Sequence, residues 1–246
     1  MAVSRLPATP LLTLVFALLS LVFLALLVFL RTPFPFYPLI SWQDVVDLLT
    51  PLVLIPIYWL MYQRASESRS RATADLAFVV FAGVWVLGHG MHLSANSINN
   101  LAEGLARRHE LDITGSSVYR LIDCFDERLS HPVWHLGMLA LAALLIRSET
   151  GNGGGAATVW WVAAVAGVVY GFTFFCVFLE GQTVFLGLPF AAIVSLLTLI
   201  RGRRTLGHRP LAAFFGVACL VALLLFIGWG LYWRGFPQFT DAGLID

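Results

Sequence analysis

Two short windows of this chain hold residues whose types and spacing suit chemistry. Residues 88–100 contain His89 and His92, followed by Asn96, Asn99 and Asn100. Residues 123–135 contain Asp123, Asp126, Glu127, His131 and His135. Four of the six histidines lie in these windows, beside apolar runs where polar groups are costly and usually functional. Imidazole is the commonest protein ligand for zinc and also suits copper and iron. The four imidazoles His89, His92, His131 and His135 are therefore expected to hold a divalent metal, zinc before copper or iron. In a continuous helix Glu127-x3-His131-x3-His135 stacks a carboxylate above two imidazoles. Glu127, Asp123 and Glu180 are the candidate proton carriers. Asn96, Asn100, Asp47 and Asp126 are candidates to support the ligands or touch substrate.

The elements that position these groups follow from composition. Hydrophobic residues make up 59% of the chain and charged residues 12%, with a mean hydropathy of +0.84. Apolar runs long enough to cross a bilayer core of about 30 Å recur along it. The expected fold is all-α: one polytopic bundle of seven transmembrane helices near 11–30, 42–62, 75–97, 131–147, 159–179, 184–200 and 211–233. Ser41 is the expected N-cap of the second helix, which Pro51 and Pro56 should bend. Residues 98–129 read as an amphipathic interfacial segment. Val118, Leu121, Ile122, Phe125 and Leu129 form its apolar stripe, so Asp123 and Glu127 have a solvated-face alternative. Gly88 and Gly90 leave room beside His89 for a helix or ligand to come close. Residues 151–155 form a glycine-rich turn, and Trp160, Trp161, Tyr232 and Trp233 read as interfacial aromatics.

Net charge is +1, which argues against nucleic acid as a partner. All fifteen basic residues are arginine, so Schiff-base chemistry on a lysine is excluded. Cys124, Cys176 and Cys219 have no metal-binding or redox spacing. His109 and His208 sit among arginines in loops.

Arginine placement orients the bundle. Nine arginines (5, 64, 69, 71, 147, 201, 203, 204 and 209) fall in loops on one side. That side is expected to be cytoplasmic, with the N-terminus inside and the C-terminus outside, in the inner (plasma) membrane of a bacterium. At about 1.5 Å per residue, His89 and His92 then lie about 21 and 25 Å above the cytoplasmic end, and His135 and His131 about 18 and 24 Å. The matched depths define one site in the outer leaflet. The expected function is metal-dependent hydrolysis of a lipid or lipid-linked substrate, with membrane lipids as the surrounding partners. The alternatives are a copper, di-iron or haem redox centre, and a proton- or cation-coupled transporter or sensor.

Overall fold

A computed structural model describes residues 8–65, 72–149, 160–206 and 209–245. The glycine-rich turn at 151–155, Arg5, Arg69, Arg71, His208 and the side chains of Trp160, Arg201, Arg203 and Arg204 lie outside the described residues. Among those described there are seven helices and no strand. They are α1 (Ala8–Phe29), α2 (Trp42–Ala65), α3 (Ala72–Arg107), α4 (Ser117–Glu149), α5 (Trp160–Glu180), α6 (Val184–Leu206) and α7 (Pro210–Trp233). Six are long and apolar enough to cross a membrane, and the apolar part of α6, Val184–Ile200, is shorter. The chain is a helical membrane bundle.

Two of these helices differ from the sequence expectation. α3 continues ten residues past the expected end at 97, and α4 begins at Ser117 rather than 131, so residues 98–107 and 117–129 belong to these two helices. The polar run from Asn96 to Glu103 extends an existing helix beyond its apolar part instead of ending it. Within α4, Cys124–Ser130 is wound as π-helix. Its i→i+5 bonding enlarges the turn, so residues five apart share a face there.

α2 starts as the sequence suggests. The Asp44 carboxylate accepts from the Ser41 amide at 2.6 Å and hydroxyl at 2.7 Å, while the Asp44 amide donates to the Ser41 hydroxyl. This reciprocal cap satisfies donors at the helix start. Ser97 of α3 donates to the other Asp44 oxygen at 2.7 Å, tying the two helices at this end.

α3 packs on α4, α5 on both α1 and α7, and α6 on α7. The core between them is aromatic. Phe16 of α1 meets Tyr58 edge-on at 4.6 Å, and Tyr58 shares a 3.3 Å hydroxyl–hydroxyl bond with Tyr170 of α5. The α3–α4 contact is closer than side chains normally allow. A methyl group on Gly137 would stand 2.5 Å from the Trp85 amide nitrogen, and one on Gly88 would overlap the backbone of Trp134. Trp85-x2-Gly88 and Trp134-x2-Gly137 are thus reciprocal: each glycine receives the other helix at its tryptophan, a membrane packing mode that depends on small residues.

α7 is held at its start by a carboxylate from α4. Glu149 accepts from the amides of Leu211 at 3.0 Å and Ala212 at 2.7 Å, two donors that no helical carbonyl reaches. Glu149→Ala is expected to cost about 1–2 kcal/mol, the range for losing a helix cap. Thermal unfolding in detergent checks it, with Glu149→Gln expected to lose less because it keeps an acceptor oxygen.

Candidate functional site

Helices α2, α3 and α4 and the α5–α6 turn bring the four expected histidines to one region, around a fifth side chain. The Trp134 ring lies 4.6 Å from His89, 5.8 Å from His92, 6.2 Å from His131 and 4.8 Å from His135. His92 and His131 are themselves 4.5 Å apart. Trp134 is placed by the close crossing at Gly88, which puts its backbone against α3. Sequence reasoning centred on titratable groups missed it. The repeated Trp-x2-Gly on both helices was the available signal.

Three of the four imidazoles bond an oxygen, and His131 has only a more distant carboxylate beside it. His89 is 2% exposed, and its Nε2 lies 2.7 Å from the backbone carbonyl of Asp47 and 3.2 Å from that residue's carboxylate. The carbonyl is available for a reason visible in the sequence: the residue four positions on is Pro51, which has no N–H to donate to it. His89 supplies the missing donor, so its Nδ1 is left buried and unpaired. His92 Nδ1 lies 2.8 Å from one Asp126 oxygen, and Asn99 donates to the other at 2.8 Å. His131 Nδ1 stands 3.8 Å from Glu127. His135 Nδ1 meets the Thr183 hydroxyl in the α5–α6 turn, while its Nε2 is buried and unpaired. The turn approaches closely, because a methyl group on Gly181 would stand 2.5 Å from the His135 ring.

The carboxylates differ from the sequence expectation in rank. Asp126, expected only in support, is 1% exposed and bonds both His92 and Asn99. The π-helical winding explains this, since five-residue spacing brings Asp126 toward the face of His131. Glu127 is half-buried at the cluster edge, and Asp123 is also partly exposed. Glu180 turns to the C-terminal segment instead: its carboxylate accepts from the Phe239 amide at 2.7 Å, and Gln238 donates to its carbonyl at 2.5 Å. Asn96 and Asn100 bond each other at 3.1 Å on the α3 surface, and Asn99 holds the inward position.

Beside the cluster a cavity of about 50 Å³ lies between α1, α2, α3, α4 and α5. Asp47, Trp85 and Trp134 line it, and each carries a buried, unpaired polar atom. Ser20, Thr50, Thr173 and Tyr170 add hydroxyls to its wall. Those hydroxyls are already bonded, Ser20, Thr50 and Thr173 to carbonyls of their own helices and Tyr170 to Tyr58, so the exposed wall of the cavity is almost wholly apolar.

The imidazoles do not converge on one point. Among the described residues, no group of three or more His, Cys, Asp or Glu is arranged to hold a metal ion. Compared with protein-family models, with curated proteins and with solved structures, the chain matches none.

Proposed function

We propose that the cluster is a proton relay within a seven-span membrane protein, one that transports or senses through proton movement. The observation that carries this reading is pairwise geometry. His89 with Asp47, His92 with Asp126 and His135 with Thr183 are three imidazole–oxygen pairs made between different elements, and His131 stands 3.8 Å from Glu127 on its own helix. Chains of His and acidic residues inside a membrane serve as proton relays in pumps and transporters. A proton accepted at the partly exposed His131–Glu127 pair passes to His92, whose ring adjoins His131, and rests on the buried His92–Asp126 pair. The arginine distribution supports an N-terminus in the cytoplasm and the cluster in the outer half of a bacterial plasma membrane.

A second reading, a zinc-dependent hydrolase acting on a lipid-type substrate, draws on a different observation. His89 and His135 each hold one ring nitrogen on an oxygen and leave the other buried and unpaired. That is how metal-ligating histidines are oriented by their outer partners. Their side chains would have to turn past Trp134 to share an ion, and zinc would then supply an activated water.

One preparation separates the two. The purified protein is reconstituted into phosphatidylcholine vesicles enclosing a pH-sensitive dye, and its metal content is measured alongside. The relay reading expects a pH step to dissipate well above protein-free vesicles, and His92→Ala to slow dissipation at least tenfold. A rate equal to protein-free vesicles overturns it, and stoichiometric zinc lost in His89→Ala then favours the hydrolase.

A further inference from the structure

The structure assigns a binding site for a primary ammonium group to the pocket between the α5–α6 turn and the segment that follows α7. The pocket is about 270 Å³, just under the roughly 300–1,000 Å³ of drug-sized sites, which suits a head group rather than a whole lipid. Gln182, Val184 and Phe185 line it from the turn and the start of α6, and Phe236, Gln238 and Asp241 line it from the C-terminal segment. Gln182, Phe185, Phe236 and Asp241 are exposed, so an occupant reaches them directly. The pocket lies at the same end of the bundle as the histidines, since Gln182 and Val184 flank Thr183, which meets His135. Tyr232, just before Phe236, is exposed at the end of a spanning helix, where interfacial aromatics stand beside lipid head groups.

The chemistry of the wall calls for a donor that carries positive charge. Among the described residues Asp241 is the only charged side chain lining the pocket, and no basic group pairs with it. Gln238 donates its amide nitrogen to the Glu180 carbonyl at 2.5 Å, which leaves its side-chain oxygen as an acceptor. Gln182 adds a second amide oxygen. A hydroxyl brings these acceptors one hydrogen, whereas an ammonium brings three together with a charge opposite to that of Asp241. Phe185 and Phe236 favour the same ligand, because aromatic faces attract ammonium groups. An anion is repelled by Asp241 and by the nearby carboxylate of Glu180, which holds the Phe239 amide. A quaternary ammonium keeps the charge but has no N–H to donate, so the ligand is a primary amine. Phosphatidylethanolamine presents that group from the membrane, and a soluble alkylamine presents it from water.

The test uses the full chain in nanodiscs of equal phosphatidylethanolamine and phosphatidylcholine, whose head groups differ only in methyl groups replacing the N–H groups. Native mass spectrometry counts the lipids the protein retains. A charge-assisted hydrogen bond corresponds to roughly tenfold in affinity, so one phosphatidylethanolamine is expected to be retained about tenfold over phosphatidylcholine. Asp241→Asn, a change of charge at an exposed position, is expected to remove that preference. A soluble source gives a different pattern: equal retention of the two lipids, with propylammonium but not tetramethylammonium raising the thermal midpoint in phosphatidylcholine nanodiscs. Equal retention together with no response to propylammonium overturns the inference. So does a preference or response that Asp241→Asn leaves unchanged. Neither measurement depends on proton movement, so this site and the relay stand or fall separately.

Discussion

Valine at Gly137 is expected to prevent the bundle from assembling. The first carbon of any side chain there would stand 2.5 Å from the Trp85 amide nitrogen and 2.9 Å from the Phe81 carbonyl oxygen. Both obstacles are helix backbone, which cannot swing aside as a long side chain can. Relief requires α3 and α4 to separate, and separation also pulls Trp134 from His89 and His92 on α3. Ordinary overpacking in a core costs about 1–3 kcal/mol, and a backbone-to-backbone clash along a helix crossing should exceed that range. Detergent-solubilised Gly137→Val should lose its single sharp elution peak in size-exclusion chromatography. Gly90→Ala is the control, since its added methyl meets open space, and it should elute like the unaltered protein. Normal elution of Gly137→Val would show that the crossing is looser than described.

Asp126→Ala is expected to have the largest effect among the polar substitutions. It strips His92 of its carboxylate and Asn99 of its acceptor at once, both in the interior. Removing one member of a buried pair typically costs about 3–5 kcal/mol, because the partner stays buried with nothing to bond. The thermal midpoint in detergent should fall by on the order of 10 °C. Asp126→Asn keeps the shape and one acceptor oxygen, so it should recover most of the lost stability. Under the relay reading it should still fail to pass protons, since an amide does not titrate. Full stability with Asp126→Ala would mean that the pairing with His92 contributes little.

The contrast between these positions shows what was legible beforehand. The spanning helices announce themselves through long apolar runs, and the Ser41 cap through a serine followed three residues later by an acid. The four histidines stand out because each sits within or beside an apolar stretch. Their meeting is also foreseeable, since rise per residue places both pairs at similar depth. Which acid would join them was not. Asp123, Asp126 and Glu127 have similar chemistry, and only the winding between 124 and 130 decides which one faces inward. Nothing in the composition of that segment distinguishes π from α winding. Asn96 and Asn99 differ by three residues on one helix, and the choice between them depends on the angle at which α4 crosses. Glu180 could not be assigned because its partner, Phe239, lies 59 residues away on a segment with no periodic signal.

The π-wound turn makes the site depend on a residue count as well as on residue identity. Such a turn holds one more residue than the α turn it replaces. Deleting a single residue between 124 and 130 would let α4 run straight, with His131, His135 and everything beyond them still locked to α3 by the glycine crossings. Residues before the deletion would keep their bearing, because positions five apart in the π turn become four apart in an α turn and still share a face. Removing a second residue has no such slack: it would rotate the preceding residues by about 100° and swing Asp126 off His92. The turn therefore gives this part of α4 room to lose one residue with the acid still facing the histidines.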